Sequence, residues 1–163
     1  MHLLAYEQKK GNINHIHGYG KHGKDTFMQS LAENGVDPNN EHFIIREYID
    51  NMYTCMCASD LIITRAGAMT LTELMAIGRA SILIPYPYAA ENHQYYNALT
   101  LQNANAGRII DDKELTGAVL IDTVTKLADD PELLKLMSEN AAKLSKHDAA
   151  GVILREITDL MGL

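Results

Sequence analysis

The sequence lacks a long apolar run and an excess of positive charge. No uninterrupted apolar segment reaches the length that a bilayer-spanning helix needs, and no signal peptide is evident. The chain has 14 Lys and Arg against 21 Asp and Glu, for a formal net charge of −7. This balance argues against broad nucleic-acid binding, because phosphate backbones demand a basic face. A small phosphorylated ligand is still compatible with it, so we expect a cytoplasmic globular protein.

Metal-binding side chains are also scarce. The two cysteines, Cys55 and Cys57, lie one residue apart and point in different directions on a helix. This spacing favours buried thiols over a metal or redox pair. His15 and His17 share a strand face and His22 follows nearby, but no adjacent acidic residue or cysteine completes a ligand set. We therefore expect no metal and no cofactor.

The apolar pattern predicts a Rossmann-like α/β fold in a single domain, residues 1–163. Short apolar segments alternate with helical patterns, which favours an open parallel sheet of about five strands with helices on both faces. The predicted strands are residues 12–17, 42–46, 61–64, 81–84 and 107–110. The predicted helices are residues 1–10, 25–34, 49–58, 70–77, 93–104, 116–127, 131–144 and 149–160.

The first predicted element is a helix with no strand before it. In a doubly wound sheet the first strand is usually central, and its absence would leave a gap of unpaired backbone groups. We therefore expect either an incomplete piece of a longer protein, or a partner chain or self-association that fills the gap.

The segment from Arg65 to Glu73 carries the strongest chemical signal. A turn containing Gly67 joins a strand to a helix that is predicted to start at Thr70. Free N–H groups and the positive end of this helix would suit a phosphate, to which Thr70 adds a hydroxyl, and Glu73 could accept both hydroxyls of a ribose. The same T-x-x-E spacing also fits a capping box that needs no ligand. The spacing leaves both interpretations open.

A second polar cluster follows a loop with two prolines. Gln94 and Asn97 lie three residues apart on one helical face, and amides of this kind suit sugar hydroxyls. The alternative is an exposed helix start with solvated amides, and His93 is either a ligand contact or a helix-start residue. A glycine-rich turn that begins at Gly18 is not G-x-G-x-x-G and is a weak phosphate signal. The residues alone indicate a nucleotide-sugar-like site with no catalytic base.

The segments RAGAMTLTEL and HQYYNA carry a resemblance to a known family. The pairing of R-[AS]-G-A-x-T-x-x-E with H-Q-x-x-N-A about twenty residues on, together with HIHG and EYIDNM, resembles the donor-binding half of the bacterial peptidoglycan GlcNAc transferases. These are GT-B glycosyltransferases, and the similarity covers nearly the whole chain. The resemblance implies an inverting, metal-free transfer of GlcNAc from UDP-GlcNAc to lipid I, giving lipid II for cell-wall synthesis. It also implies a peripheral location at the inner face of the membrane.

The resemblance assigns the donor site residue by residue. The assigned residues are Ile49 for uracil through its backbone, Glu73 for the ribose hydroxyls, Gly67, Ala68, Met69 and Thr70 for the pyrophosphate and sugar, His93 and Gln94 for the GlcNAc hydroxyls, and Arg65 and Asn97 as support. A further phosphate-side turn lies at His17 and Gly18. The family usually has H-x-[ST]-G-K there, whereas H-I-H-G-Y stands in this chain and replaces the hydroxyl and the lysine.

Two parts of the family pattern are missing from the sequence. The strand with a G-G-S-x-G loop is absent, and so is the N-terminal domain, which in the family binds the acceptor and the membrane and carries the proposed general base. We therefore expect the UDP-GlcNAc-binding portion of the enzyme, inactive alone and without a catalytic residue of its own. The alternatives are a separately encoded donor-binding subunit with a membrane-attached partner, or a related glycolipid glycosyltransferase.

Overall fold

The computed structural model describes residues 1–21, 23–145 and 148–162 as an alternation of helices and strands. In these ranges the strands are β1 (His15–Gly18), β2 (Phe43–Arg46), β3 (Leu61–Thr64), β4 (Ala80–Leu83) and β5 (Gly107–Ile109). The helices are α1 (His2–Lys10), α2 (Lys24–Glu33), α3 (Met52–Ala58), α4 (Ala68–Ile77), α5 (His93–Asn103), α6 (Gly117–Ala128), α7 (Pro131–Lys143) and α8 (Ala149–Met161). No helix within the described ranges is both long and apolar enough to cross a bilayer.

Residue contacts divide the chain into two compact units. The first comprises Met1–Ser59 and Ile110–Leu134, and the second comprises Asp60–Ile109 together with the chain from Lys135 onward. The prediction of a single domain over residues 1–163 is not tested by this division and stays a prediction.

The first unit is built around β1 and β2, which pair in parallel. Along β2 the side chains alternate, with Phe43 and Ile45 buried and Ile44 exposed, because successive residues of a strand point to opposite faces. The buried face packs with Leu4 of α1 and Leu31 of α2 to form one hydrophobic core. Burial of these side chains stabilises the unit by roughly 1.5–3 kcal/mol for each large one.

The second unit is built around a three-stranded parallel sheet with the order β3-β4-β5. All four residues of β4 are buried, which is the pattern of a strand with a neighbour on each side and cover on both faces. Leu71 and Leu74 of α4 and Ala98 and Leu101 of α5 are buried as well. Since β3 and β4 are joined through α4, this unit contains the predicted βαβ arrangement.

The predicted α/β class is confirmed, with five parallel strands among the described residues. They pair as one sheet of two strands and one of three, rather than as one continuous sheet. Two helix starts were wrong by two or more residues: α3 begins at Met52 instead of residue 49, and α4 begins at Ala68 instead of Thr70. The first strand, β1, begins at His15 instead of residue 12. The prediction of buried thiols was also wrong, because Cys55 and Cys57 are only half-buried.

Gly78 ends α4 as predicted, in the left-handed conformation with φ 61°. A Cβ on this residue would lie 3.0 Å from the Ala142 Cβ and 3.3 Å from the Ser138 carbonyl oxygen. We expect Gly78→Ala to lower the free energy of unfolding by about 1.5 kcal/mol, through backbone strain and this contact together. Urea denaturation measures the loss.

Gly35 provides the matched control for this substitution. It has φ +67°, and a Cβ on this residue would have no neighbouring atom within 4 Å. Gly35→Ala should therefore cost only the backbone part, about 1 kcal/mol. Equal losses for the two variants would contradict a contribution from the contact with α7.

Candidate functional site

The amino end of α4 carries backbone N–H groups that the helix itself does not use. The first helical hydrogen bond runs from the Leu71 N–H to the Gly67 carbonyl at 3.0 Å. The N–H groups of Ala68, Met69 and Thr70 therefore have no acceptor inside the helix, and the positive end of the helix dipole lies there. The helix follows directly after β3, where ligands of parallel α/β sheets bind. This end of α4 is suited to an anionic group.

The capping-box interpretation of Thr70 and Glu73 is wrong. Gly67 occupies the N-cap position in an extended conformation, without a side-chain cap, and Thr70 lies inside the helix as its third residue. Glu73 is exposed, and within the described ranges its carboxylate has no hydrogen bond or ion pair. The exposed carboxylate is therefore able to accept hydrogen bonds from ribose hydroxyls, one turn away from the N–H groups that would meet a phosphate.

Gln94 and Asn97 each bind backbone instead of being solvated amides. The Tyr86 N–H donates to Gln94 Oε1 at 3.0 Å, and Asn97 Nδ2 donates to the Ala66 carbonyl at 3.4 Å. Gln94 thus holds the loop after β4, and Asn97 holds the turn before α4. Of the two, Asn97 is thereby held next to the turn that contains the predicted residues Arg65 and Gly67.

Arg65 supports the same loop from the other side. Its Nη1 donates to the carbonyl oxygens of Ile84 and Pro85, both at 3.3 Å. Its guanidinium carbon also lies 5.7 Å from the centre of the Tyr86 ring, a cation–π distance. Arg65 therefore ties the end of β3 to the chain that leaves β4, as the predicted supporting role requires.

The loop between β4 and α5 contains a backbone feature that the sequence did not reveal. Glu91 and Asn92 both have positive φ, 51° and 54°, although neither is a glycine. Such conformations cost free energy and persist only where neighbouring contacts impose them. His93 begins α5 just after them, with Nδ1 2.8 Å from the Ala90 carbonyl oxygen, so this nitrogen carries a proton. The His93 ring is exposed and its ligand role stays a prediction.

In the first unit, Ile49 lines a cavity of about 300 Å³. The other residues of its lining are Ile16, Ile44, Arg46, Tyr48, Asp50, Asn51 and Cys55. A Cβ on Gly18 would lie 3.5 Å from Ile49 Cδ1, so the Ile49 side chain lies beside the predicted phosphate-side turn. Ile49 lies before α3 and outside its hydrogen-bonding pattern, which leaves its backbone available as the predicted uracil contact needs.

The predicted phosphate-side residue His17 is stacked on an aromatic ring. Its ring centre lies 4.8 Å from that of Phe27, with the planes 15° apart. Burial, followed by the nearby His15 and the N-terminal ammonium, lowers the pKa of His17 to about 4. The ring is therefore neutral at pH 7 and offers no positive charge to a phosphate.

Glu7 is a buried residue that the sequence analysis missed. It is 2% exposed, and its Oε2 lies 2.6 Å from His15 Nδ1. The sequence analysis named no acidic partner for His15, and the structure supplies one. Glu7 lies three residues after Leu4 and four after Leu3, and both leucines are buried, so helical spacing places Glu7 on the inner face of α1. This spacing was the signal in the sequence that Glu7 would be buried.

The histidines do not form a metal centre in the described ranges. His22 lies outside the described residues. Among the residues that the structure does describe, no group of three or more His, Cys, Asp or Glu side chains is placed to hold an ion. The absence of a metal from the reaction stays a prediction.

The lowered pKa of His17 predicts an acid-dependent loss of stability. Between pH 6.5 and about 4 the unfolded chain binds a proton that the folded His17 does not, so stability falls as pH falls through this window. We expect a loss of roughly 1–2 kcal/mol in the free energy of unfolding, discounted for the part of the ring that solvent reaches. Urea denaturation at pH 7 and pH 4.5 measures this loss.

The variant His17→Phe is the control for this prediction. It keeps an aromatic ring against Phe27 but has no group that titrates, so it should remove this part of the pH dependence. An unchanged pH dependence in the variant would contradict the assignment to His17.

Comparison with known proteins identifies the family. The family described as glycosyltransferase family 28 C-terminal domain matches residues 3–153. The chain is also similar to a protein of Desulforamulus reducens named UDP-N-acetylglucosamine–N-acetylmuramyl-(pentapeptide) pyrophosphoryl-undecaprenol N-acetylglucosamine transferase. They are 40% identical over 149 residues, which make up 90% of this chain and 40% of that protein.

Two further relatives agree with this match. A protein of Halothermothrix orenii with the same name is 37% identical over 160 residues, covering 96% of this chain and 43% of that protein. The crystal structure of MurG from Acinetobacter baumannii superposes with a TM-score of 0.77 at 29% identity, covering 90% of this chain and 41% of that one. The chain thus spans about two fifths of the length of these relatives.

The resemblance found in the RAGAMTLTEL and HQYYNA segments is therefore confirmed at the level of the family. Both segments lie inside the matched range, and they form the start of α4 and the start of α5. The chain belongs to glycosyltransferase family 28 and corresponds to the C-terminal domain of that family.

Proposed function

We propose that this chain is the UDP-GlcNAc-binding part of an inverting glycosyltransferase that transfers GlcNAc to lipid I and forms lipid II. The observation that carries the proposal is the start of α4, where three N–H groups without helical acceptors lie one turn before the exposed carboxylate of Glu73, which has no partner among the described residues. The names of the relatives support the choice of donor and of a lipid-linked acceptor.

The chain's own residues would act by binding and by electrostatics. The N–H groups of Ala68, Met69 and Thr70 would hold the diphosphate and stabilise the charge that develops on UDP as it leaves the sugar. Glu73 would accept hydrogen bonds from the ribose hydroxyls, and Gln94 would contact the sugar. Since these dipoles are fixed before the ligand arrives, no reorganisation is required during the reaction.

The remaining steps belong to the rest of the proposed enzyme. Binding of the acceptor, activation of its hydroxyl and attachment to the inner face of the membrane would be functions of a domain or a partner chain that carries them. We propose a metal-free reaction, because the diphosphate charge would be met by helix N–H groups. The assignment of uracil to Ile49 is a separate prediction, supported by the cavity that this residue lines.

Isothermal titration calorimetry of the 163-residue chain tests the proposal. UDP-GlcNAc and UDP should both bind in the presence of EDTA, whereas GDP should bind more weakly because the resemblance assigns Ile49 to uracil. Circular dichroism should first establish that the sample is folded. A folded sample that produces no heat with UDP-GlcNAc would refute the proposed function.

A further inference from the structure

We propose that Met69 is an oxidation site that regulates the proposed donor site. A hydroperoxide converts its thioether to a sulfoxide, whose oxygen then accepts from the free N–H groups at the start of α4 and competes with the diphosphate of the ligand. The inference rests on the proposed function, because it takes these N–H groups to be the diphosphate site. It deepens that function by naming a modification that controls the site.

The Met69 side chain is open to solvent. It is 77% exposed, compared with 66% for Met161 on α8 and 1% for Met137 on α7. A peroxide must reach the sulfur atom directly, so an exposed methionine reacts faster than a buried one. Met69 differs from Met161 in its position, because it lies at the start of α4.

Helix geometry directs the Met69 side chain towards the free N–H groups. Met69 is the second residue of α4, which begins at Ala68. In an α-helix every Cα–Cβ bond is tilted towards the amino end, so the side chain of an early residue leans over the first turn. The N–H groups of Ala68, Met69 and Thr70 lie in this turn and have no acceptor inside the helix. The sulfur is therefore carried at the same end of the helix as these donors.

A sulfoxide oxygen on Met69 has the reach that a helix cap requires. It is the third atom beyond Cβ, after Cγ and Sδ, which is the position that Oε occupies in glutamate and glutamine. In the first turn of a helix, those two residue types interact with the N–H groups at its start. The capping position is open in α4, because Gly67 is the N-cap and has no side chain to fill it. The reduced thioether is only a weak acceptor, so it leaves the N–H groups to a ligand.

The oxidation is a two-electron step that a hydroperoxide balances. The methionine sulfur attacks one peroxide oxygen, an S–O bond forms and the O–O bond breaks. The other oxygen leaves with the peroxide proton as an alcohol, or as water when the oxidant is hydrogen peroxide. Sulfur loses two electrons and the peroxide gains them. Methionine sulfoxide reductases reverse the change, one enzyme for each epimer, so the modification is suited to regulation.

The test compares the wild type with three variants of the 163-residue chain. Met69→Leu removes the sulfur and keeps an apolar side chain of similar size. Met69→Gln places a carbonyl oxygen where the sulfoxide oxygen would lie. Met161→Leu is the matched control, since it removes another strongly exposed methionine of the same unit.

Three measurements follow treatment with hydrogen peroxide and then with dithiothreitol. The second reagent reverses sulfenic acids and disulfides of Cys55 and Cys57 and leaves the sulfoxides in place. Peptide mass spectrometry gives the oxidation of each methionine, and calorimetry gives the affinities for UDP and UDP-GlcNAc. NMR gives the hydrogen exchange of the amides of residues 68–70 in the ligand-free chain.

In the wild type, Met69 should oxidise about tenfold faster than Met137. Oxidation should lower the affinities for UDP and UDP-GlcNAc by the same factor, about fivefold, because the diphosphate is common to both. It should also slow exchange of at least one amide of residues 68–70 about fivefold. Met161→Leu should respond as the wild type does. Met69→Leu should bind equally before and after treatment, and untreated Met69→Gln should bind about fivefold more weakly than untreated Met69→Leu.

Two results would overturn the inference while the proposed function stands, in each case with the unoxidised wild type binding UDP. One is an unchanged affinity when mass spectrometry shows Met69 to be oxidised, and the other is an equal loss of affinity on treatment of Met69→Leu. If the wild-type chain binds neither ligand, the proposed function fails and the regulation fails with it. Slower amide exchange after oxidation would in that case support only the capping of α4 by the sulfoxide.

Discussion

Glu73→Gln should weaken the binding of UDP-GlcNAc by roughly 1–3 kcal/mol, the size of a charge-assisted hydrogen bond that is no longer made. The carboxylate can accept from two vicinal hydroxyls, whereas the amide replaces one acceptor oxygen by a donor. Binding of UDP should fall by a similar factor, because the ribose is common to both ligands. Isothermal titration calorimetry with each ligand gives the two affinities.

The stability of the Glu73→Gln variant separates binding from capping. Since Thr70 is not the N-cap and Glu73 has no partner in the described part of the chain, the free energy of unfolding should change by less than about 0.5 kcal/mol. Glu139→Gln on α7 is the control, because it removes one exposed helical carboxylate from the same unit. Full affinity in Glu73→Gln, or the same loss in Glu139→Gln, would contradict the ribose assignment.

Gln94→Ala should weaken UDP-GlcNAc binding by roughly 1–2 kcal/mol and leave UDP binding within about twofold. The variant removes both the amide donors that would meet the sugar and the acceptor of the Tyr86 N–H. The difference between the two ligands, measured by calorimetry, is the informative quantity. Equal losses for UDP and UDP-GlcNAc would refute the assignment of Gln94 to the sugar.

Gln102 of the same helix supplies the matched control for Gln94. Its Oε1 accepts from the Ile109 N–H at 3.0 Å, a hydrogen bond of the same kind as that between Gln94 and Tyr86. Both alanine variants should lose about 1 kcal/mol of stability, since each leaves a backbone donor without its acceptor. Only Gln94→Ala should lose sugar-dependent affinity, so the pair distinguishes a general weakening of α5 from a lost ligand contact.

Short patterns of neighbouring residues were sufficient to predict most of the helices and strands. β3 was predicted with its observed bounds, because Leu61–Thr64 is a short β-branched apolar run closed by Asp60 and Arg65. The end of α4 at Gly78 was equally clear, since glycine adopts the left-handed conformation without a Cβ penalty. These features depend on a few neighbouring residues, and the sequence contains them all.

The start of α4 shows where a local motif fails. Thr70 and Glu73 match a capping box in spacing, yet the extended backbone of Gly67 allows the helix to begin at Ala68. Both interpretations satisfy the same residue pattern, and only the hydrogen bond from Leu71 to Gly67 distinguishes them. This difference favours the proposed ribose contact, because it releases Glu73 from a capping role.

The sequence by itself determined the alternation of strands and helices, the family, and the residues that gather at the start of α4 and α5. The tertiary structure decided the burial of Glu7 against His15, the lowered pKa of His17, the pairing of the strands as two sheets and the orientation of the Gln94 amide. The first set follows from periodicity and motifs along the chain. The second depends on which groups distant in sequence are brought within hydrogen-bonding distance and out of water, and no local pattern specifies that.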